Sequence, residues 1–386
     1  MRKISAQYVI PGDGRILNRA IIEADNSGKI LNIKDTGGKM PEESCLEFYN
    51  GVIVPGFVNT HSHIELSHLH GRIEKGHDLG FFVKNISWLG KETCHEDIIK
   101  AADREMYLNG IVACGDISNR TISAGVKKNS NIDYYTFVEL YGSNPDAADS
   151  IMQKGMEVLA CFHEYGLKAA ISPHAPYSMS ANLWNNIINN YKTGDNISIH
   201  LAESALENEM FLYGTGGLAG YAKKNGWTPP GTGSVEAMLP YLNNFERVIS
   251  VHNTFISESD IEMMKYSRTG FYYVLCPGSN LFMGNPLPDI NMLRKQGIKL
   301  CIGTDSLASN TTLSVLEEMK IIQSHIPDID LCELISWASL NGAEALGMQD
   351  KIGSITPGKK PGLVLIENLD IHNKRLLKSS TLKILL

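Results

Sequence analysis

Short apolar segments recur along most of the chain, and stretches with helical spacing of apolar residues separate them. Typical segments are 52–58 (VIVPGFV), 110–116 (GIVACGD) and 248–252 (VISVH). Runs of this length that are rich in Val, Ile and aromatic residues are typical of strands buried on both faces. Five further segments share these properties, which makes eight predicted strands: 134–140, 167–172, 197–200, 271–276 and 298–304.

Helices are predicted between these strands, and several of them follow a Ser, Asp or Thr that can cap a helix N-terminus. The predicted helices are 96–108, 147–165, 181–191, 257–267 and 313–325. Strands that alternate with helices predict an α/β fold, a (β/α)₈ TIM barrel of parallel strands. A doubly wound open sheet is the alternative, but it would separate the candidate site residues, which follow five different strands.

The two ends of the chain have a different pattern. Residues 1–50 contain short alternating runs separated by Gly-Asp-Gly, Asn-Ser-Gly and Gly-Gly turns, which are typical of hairpins. Near the other end, 352–366 contains a turn followed by one strongly apolar strand. We therefore predict a small composite β-sandwich from 1–51 and 352–386, beside a barrel at 52–351.

Composition excludes several classes of protein. The 386 residues include 42 acidic and 35 basic side chains, and no basic run is interleaved with aromatic residues, so no nucleic-acid partner is expected. No signal-peptide pattern is present, and no segment approaches the roughly 18 apolar residues that a membrane span needs. We expect a cytoplasmic protein without a membrane partner. The seven cysteines form no C-x-x-C pair, which argues against a disulfide framework or a structural zinc ribbon.

Histidines at predicted strand ends are the first candidates for chemistry. His61 and His63 end the first strand, and side chains two residues apart on a strand point the same way. Both imidazoles can therefore bind one metal ion, although exposed loop histidines are the alternative. His200 ends the fifth strand and offers a third nitrogen ligand.

Three further polar residues lie close to these strand ends. Glu203 follows the fifth strand, near enough to handle protons without being a ligand, while His252 and Asp305 end the sixth and eighth strands. Each of them alone could be a capping or hydrogen-bonded side chain. Together with the three histidines they predict a metal site, because active sites lie at this face of a barrel.

Six motifs carry a resemblance to a known family: PGFVNTHSH at 55–63, SPHAPYS at 172–178, HLAES at 200–204, VHN at 251–253, LCPGSN at 275–280 and GTDSLASN at 303–310. With these motifs the chain resembles the amidohydrolase superfamily, in its branch of metal-dependent aminohydrolases of nucleobases, nucleosides and related heterocycles. The similarity covers nearly the whole chain. It implies the barrel of the metal-dependent hydrolases.

The resemblance implies a role for each matching residue. Glu203 would be the proton shuttle, and His252 would lie beside the nucleophilic water, which Asp305 helps to orient. The implied metal ligands are His61, His63, His200 and Asp305.

The resemblance also bears on the number of metal ions. Binuclear members use a carboxylated lysine at the end of the fourth strand, where this chain has Ser172-Pro-His174. One divalent metal per chain is therefore expected. The nitrogen-rich ligand set favours Zn²⁺, with Fe²⁺ as the alternative.

Weaker candidates for substrate contact lie on the same face of the barrel: Glu65, His174, Tyr177, Asn280, Phe282 and Ser306. The segment 61–71 (HSHIELSHLHG) resembles aminodeoxyfutalosine deaminases and their relatives locally. Glu65 could equally be a carboxylate behind the ligand pair. Gly278 stands where family members often carry a different, commonly basic or polar residue, so a contact to an acidic substrate group is expected to be missing.

These inferences predict a metal-dependent hydrolytic deaminase. A zinc-activated water would displace ammonia from an amino-substituted, purine-like or nucleoside-like N-heterocycle, with an adenosine-type compound or aminodeoxyfutalosine as the candidate substrate. Glu203 would protonate a ring nitrogen and then the leaving amine. The alternatives are a hydrolase of cyclic amides or chloro-triazines with the same metal site, and a non-catalytic barrel scaffold. A homo-oligomer is compatible with the sequence.

Overall fold

The computed structural model describes residues 1–40, 42–90, 92 and 94–386. Its strands are β1 (Arg2–Val9), β2 (Leu17–Asn18), β3 (Ile21–Ala24), β4 (Ile30–Lys34), β5 (Leu46–Pro55), β6 (Phe57–Ser62), β7 (Ile111–Ser118), β8 (Asp133–Leu140), β9 (Lys168–Pro173), β10 (Asn196–Leu201), β11 (Arg247–His252), β12 (Gly270–Leu275), β13 (Lys299–Ile302), β14 (Leu363–Glu367) and β15 (Thr381–Ile384).

The α-helices of the described residues are α1 (Leu79–Leu89), α2 (Glu96–Leu108), α3 (Ala124–Lys128), α4 (Ala148–Glu164), α5 (Ala181–Asn190), α6 (Ala205–Tyr213), α7 (Ala219–Lys224), α8 (Ser234–Leu242), α9 (Glu258–Lys265), α10 (Pro277–Phe282), α11 (Ile290–Lys295), α12 (Val315–His325), α13 (Leu331–Ala338) and α14 (Leu340–Ala345). Short 3₁₀ helices lie at Ile64–Leu69, Pro145–Ala147 and Pro176–Ser178.

Strands β6 to β13 form two parallel sheets. One has the order β6-β7-β8-β9 and the other the order β10-β11-β12-β13. At one junction the backbone N–H of His200 donates to the carbonyl of His174 at 2.9 Å. At the other junction Ser62 and Asp305 form an isolated parallel bridge. The predicted α/β class with parallel strands and alternating helices is thus confirmed, while the hydrogen-bonded ladders of the two sheets remain separate.

Both ends of the chain contribute to one mixed sheet. Its order is β15-β14-β5-β1-β3-β4, with β2 paired to β1. Only β1 and β5 are parallel, and the other pairs are antiparallel. A hairpin-rich N-terminal segment therefore pairs with the apolar C-terminal strand in a single seven-stranded sheet.

The first predicted strand is divided in the structure. The sequence predicted one strand over 52–58, but β5 ends at Pro55 in the mixed sheet and β6 begins at Phe57 in a parallel sheet. Gly56 lies at the break, and its N–H donates to the carbonyl of Pro361 at 3.0 Å. A Cβ atom there would lie 2.3 Å from Cγ1 of Val112, so only glycine permits the close approach of these elements.

Helix bounds follow the sequence closely where a cap is present. Helix α5 begins after Ser180, whose hydroxyl accepts a hydrogen bond from the N–H of Leu183, and α12 begins after Ser314, which accepts one from Glu317. The predicted helix 96–108 also coincides with α2, although His95 at its N-cap forms no side-chain cap hydrogen bond. The cap signals are local, so they were visible in the sequence.

The buried side chains form separate clusters. One apolar cluster draws residues from both parallel sheets, which shows that the two sheets share a core; it includes Val58, Ala113, Phe137, Val251 and Val274. A second cluster lies under the mixed sheet. None of the helices in the described part of the chain combines the length and the apolar composition that crossing a bilayer requires.

Candidate active site

Five of the predicted site residues lie at the carboxyl ends of the parallel strands. His61 is in β6 and His63 follows it, His200 is in β10, and His252 is the last residue of β11. Asp305 comes after β13. All five are buried, with at most 9% of their surface exposed. Their side chains meet in one place, although 244 positions, from 61 to 305, separate the first from the last.

Three ring nitrogens converge at this place. The Nε2 atom of His61 lies 3.1 Å from Nε2 of His63 and 3.2 Å from Nε2 of His200. A tetrahedral ion with metal–nitrogen distances of about 2.0–2.1 Å would separate its ligand atoms by about 3.3–3.4 Å. Nitrogen lone pairs that face one another this closely repel unless a cation lies between them. The three histidines therefore have the spacing and chemistry that a metal ion requires.

A carboxylate completes the donor set. Oδ1 of Asp305 lies 3.5 Å from Nε2 of His63 and 3.8 Å from Nε2 of His61. Its other oxygen, Oδ2, accepts hydrogen bonds from the hydroxyls of Ser279 at 2.6 Å and Ser309 at 2.8 Å. These two bonds hold the carboxylate so that Oδ1 faces the imidazoles.

The protonation states fit metal binding. Burial lowers the pKa of His61 well below its usual range, and burial lowers the pKa of His63 to about 3. Burial and the neighbouring imidazole of His174 lower the pKa of His200. For Asp305, burial acts to raise the pKa, but the surrounding imidazoles and hydrogen bonds outweigh it and lower the pKa to about 2. At neutral pH the site thus offers neutral imidazoles and an ionised carboxylate.

Glu203 lies beside this donor set and is buried. Its Oε1 atom is 3.6 Å from Nε2 of His252. Burial raises the pKa of Glu203 to about 7, with a further contribution from the charge of Asp305, and a hydrogen bond from Tyr177 opposes the shift. A carboxyl group with this pKa can both hold and release a proton near neutral pH.

The backbone is strained at the same strand ends. Ala202, His252, Asn253 and Asp305 have φ angles of 50°, 71°, 54° and 57°, in the left-handed region that non-glycine residues rarely adopt. Such conformations cost on the order of 1–3 kcal/mol each and persist only when the surroundings enforce them. The N–H of Ala202, for example, donates to the buried carboxylate of Glu207 at 2.9 Å.

Several predicted substrate contacts lie close to the imidazole cluster. The ring centroid of His174 is 4.9 Å from that of His200 and 5.6 Å from that of Tyr177. Burial raises the pKa of Tyr177 well above its usual range, and a hydrogen bond with Glu203 adds to the shift. The N–H of Ser306 donates to Oδ1 of Asp305 at 2.8 Å. Their contact with a substrate stays a prediction.

Asn280 and Phe282 both lie on α10, after β12. The side-chain oxygen of Asn280 is 3.2 Å from Nδ1 of His252. Phe282 is partly buried against the core, and its carbonyl accepts the N–H of Gly76 at 2.8 Å. Asn280 therefore already has a protein partner at the site.

Glu65 is buried behind the ligand pair. Its Oε2 atom accepts the N–H of Asn119 at 3.0 Å, and its Oε1 atom accepts the N–H of Arg120 at 3.3 Å. Burial raises the pKa of Glu65 to about 7. Both oxygens thus bond to the backbone that follows β7, and the contact of Glu65 with a substrate stays a prediction.

The structure leaves no room for a side chain at Gly278. Its N–H donates to the buried carboxylate of Glu318 at 2.7 Å. A Cβ atom on Gly278 would lie 2.5 Å from Oε1 of Glu318 and 2.7 Å from Nδ2 of Asn310. The space that a side chain would need is therefore filled by a carboxylate from α12.

Sequence reasoning missed buried charged residues on the strands themselves. Glu139 in β8 has Oε1 3.8 Å from Nδ1 of His200, and Asp116 in β7 pairs with Lys127 at 2.7 Å. The only local signal was a charged residue inside an otherwise apolar strand. That signal predicts a buried charge, but it does not reveal the partner.

The fold and the site together define an α/β protein with a buried, histidine-rich centre that can hold a metal ion. The Amidohydrolase family matches residues 52–383. An adenosine deaminase of Helicobacter pylori is 26% identical over 347 residues, which cover 87% of this chain and 84% of that protein. An aminodeoxyfutalosine deaminase of Nitratiruptor sp. is 28% identical over 391 residues, which cover 95% of this chain and 91% of the relative.

A solved structure is also similar to this chain over almost its whole length. The aminofutalosine deaminase of Helicobacter pylori, crystallised with methylthio-coformycin, superimposes with a TM-score of 0.79 at 26% identity, covering 95% of this chain and 92% of the other. The chain belongs to the Amidohydrolase family, which confirms the resemblance drawn from the motifs. It is a hydrolase that acts on C–N bonds.

Proposed function

We propose that this chain is a metal-dependent hydrolytic deaminase that releases ammonia from an adenine-like ring, in an adenosine-type compound or aminodeoxyfutalosine. The convergence of three Nε2 atoms beside Asp305 and Glu203 carries this proposal. The relatives named above support the adenine-like ring, because each is named as a deaminase of adenosine or of an aminofutalosine compound.

The ion would be held by four ligands from three strand ends: His61, His63, His200 and Asp305. When bound, it would supply the Lewis acidity that makes water a usable nucleophile near neutral pH. Three imidazole nitrogens favour zinc, and Fe²⁺ is the alternative.

The side chains around the donor set would move the protons. His252 and Asp305 orient the attacking water, and His252 accepts one of its protons at Nε2. Glu203 donates its proton to a ring nitrogen, which makes the adjacent carbon electrophilic. The resulting carboxylate takes the remaining proton of the added hydroxyl group and passes it to the departing amine, so that the C–N bond breaks as the ring carbonyl forms. The proton held by His252 then returns to Glu203. Water and the amine-bearing ring are thereby converted into ammonia and the ring carbonyl compound, with no net change at the protein.

The proposal includes the architecture that assembles the site. We propose that the two parallel sheets close into an eight-stranded barrel within 52–351, and that 1–51 with 352–386 belong to the second domain. The first barrel strand is β6, because 52–55 are part of β5 in the mixed sheet. The N–H of Asp305 donates to the carbonyl of His61 at 3.1 Å, and the shared apolar cluster spans both sheets. Both observations support closure.

An ammonia-release screen tests the function. The zinc-loaded protein would be offered adenosine, 5′-deoxyadenosine, methylthioadenosine, S-adenosylhomocysteine, aminodeoxyfutalosine, guanine and cytosine. Ammonia from one or more adenine compounds, with no release from guanine or cytosine, is the expected result. Chloride release from a chloro-triazine or ring opening of a cyclic amide, without any ammonia, would contradict the proposal. A protein that binds no stoichiometric metal would point to a scaffold.

A further inference from the structure

Glu318 is a buried acid of α12, and its carboxylate lies between two segments of the site. None of its surface is exposed. Its Oε2 atom accepts the backbone N–H of Gly278 at 2.7 Å, and its Oε1 atom accepts Nδ2 of Asn310, also at 2.7 Å. Glu318 thus joins segment 277–280, which follows β12, to segment 304–310, which follows β13.

The direction of both hydrogen bonds is fixed by the chemistry of the partners. The backbone N–H of Gly278 can only donate. The amide of Asn310 has one orientation, because its Nδ2 group also donates to the carbonyl of Thr304 at 2.8 Å and its oxygen accepts the N–H of Thr311 at 2.7 Å. A carbonyl only accepts and a backbone N–H only donates, so neither contact would survive an exchange of the amide oxygen and nitrogen. Both oxygens of Glu318 therefore accept a hydrogen bond.

The same two segments carry the hydroxyls that fix the carboxylate of Asp305. Ser279 directly follows Gly278 in the chain, and Ser309 directly precedes Asn310. Their hydroxyls lie 2.6 Å and 2.8 Å from Oδ2 of Asp305, and an ionised carboxylate only accepts, so each hydroxyl is the donor. With Oδ2 held in this way, Oδ1 is left to face the predicted histidine ligands.

We propose that Glu318 is a positioning residue for the metal ion, and that it holds the segments of Ser279 and Ser309 so that Oδ1 of Asp305 stays available as a ligand. This inference rests on the metal site of the proposed function. Glu318 itself would touch neither the ion nor the substrate. Partners that lie behind metal ligands typically contribute about 10–100-fold to metal affinity.

A variant of nearly the same shape tests this role. Glu318→Gln replaces one acceptor oxygen by an NH₂ group, which must face a donor on Gly278 or Asn310, so one of the two segments is released. We expect the dissociation constant for Zn²⁺, measured by competition with a chelator, to rise by about tenfold or more. The matched control is Glu317→Gln, since the half-exposed carboxylate of Glu317 pairs with Lys320. It should change the constant by less than about twofold.

A double-mutant cycle shows whether Glu318 acts through the two hydroxyls. Ser279→Ala/Ser309→Ala should raise the dissociation constant for Zn²⁺ by about 10–100-fold. In that background Glu318→Gln should add less than about twofold, because the groups through which it acts are already absent. In the Co²⁺-loaded protein, both changes should shift the visible absorption bands in the same direction, since both disturb the same ligand, Asp305.

A second variant of Glu318 decides the question if Glu318→Gln does not fold. Glu318→Asp keeps the carboxylate and its charge but is shorter by one methylene group, so it cannot reach both segments at hydrogen-bond distance. We expect it to raise the dissociation constant for Zn²⁺ by about tenfold or more as well.

Three results would overturn the role of Glu318. They are a folded Glu318→Gln variant that binds Zn²⁺ as tightly as Glu317→Gln, an unchanged affinity in Ser279→Ala/Ser309→Ala, and effects of the two changes that multiply in full. A protein that binds no Zn²⁺ would overturn the metal site and this role together. If Zn²⁺ binds but no compound in the screen releases ammonia, the proposed function fails, and the Zn²⁺ affinities still decide the role of Glu318.

Discussion

At the scale of single residues, burial acts on the site in two opposite directions. It lowers the pKa of the clustered histidines, because it disfavours their charged form, and it raises the pKa of Glu203 to about 7 for the same reason. The same buried environment thus favours neutral imidazoles with free lone pairs and a carboxyl group that can hold a proton. These are the two states that the proposed chemistry needs.

Glu203→Gln tests the proton role. Glutamine has nearly the same shape but cannot exchange a proton, so turnover should fall by about 10²–10⁴-fold while metal content stays at one ion per chain. Metal content would be measured by elemental analysis and turnover by ammonia release.

The matched control for this variant is Glu209→Gln in α6. The carboxylate of Glu209 bonds to the hydroxyl of Thr215 at 2.8 Å, away from the imidazole cluster. This control should keep full activity. Turnover in Glu203→Gln close to that of the control would show that another group carries the proton.

At the scale of the elements, the ends of β6 and β7 are tied together by buried charges. Oδ1 of Asp116 accepts the N–H of Ile64, next to His63, at 2.9 Å. Its Oδ2 atom pairs with Nζ of Lys127 at 2.7 Å, with both side chains inaccessible to solvent. Lys127 also donates to Ser118 at 2.9 Å. This network fixes the backbone directly after one of the predicted metal ligands.

Lys127→Met should destabilise the protein by about 3–5 kcal/mol, because the carboxylate of Asp116 would remain buried without its counter-charge. Urea unfolding measures the loss. The double variant Lys127→Met/Asp116→Asn removes the stranded charge, so it should recover part of the stability. Lys100→Met, which breaks an exposed pair with Glu96, is the control and should leave the midpoint unchanged. Equal midpoints for Lys127→Met and this control would contradict the buried network.

At the scale of the whole molecule, buried acids and buried histidines make stability depend on pH in opposite senses. Glu65, Glu203 and Glu207 each have a pKa raised to about 7, and Glu318 has one raised to about 8. Such carboxyls contribute stability that is complete below their unfolded value of 4.5 and is lost as pH rises through the folded value. Buried histidines with a lowered pKa act in the opposite sense: the protein loses stability as pH falls through their unfolded value of about 6.5.

Above pH 6.5 the unfolded histidines lose only their remaining protons, which gives a smaller change in the opposite sense. The four carboxyls therefore dominate, and the metal-free protein should become less stable between pH 6.5 and 8. Glu207→Gln removes one titrating group and should reduce that fall by about 1 kcal/mol. Urea unfolding of the chelator-treated protein at pH 6.5 and at pH 8 measures this fall in the free energy of unfolding. Glu236→Gln, at an exposed position of α8, is the control. A fall that is the same in both variants would show that Glu207 does not titrate in this range.

Local sequence signals were sufficient to predict many of the strands, helix caps and candidate site residues of this protein. The strand cores, the helix caps at Ser180 and Ser314, and the motif residues at strand ends all depend on neighbours within a few positions, so the chain alone reveals them. The family could be predicted for the same reason, because its motifs are contiguous.

Only the tertiary structure decided which side chains face each other. The break at Gly56, the pairing of Asp116 with Lys127, and the contact of Asn280 with His252 join segments that come together through packing. Glu65 and Asn280 lie in motifs that predicted substrate contact, yet both bond to protein groups. Distance and orientation between remote residues depend on how the strands and helices pack, and no local pattern of residue types specifies them.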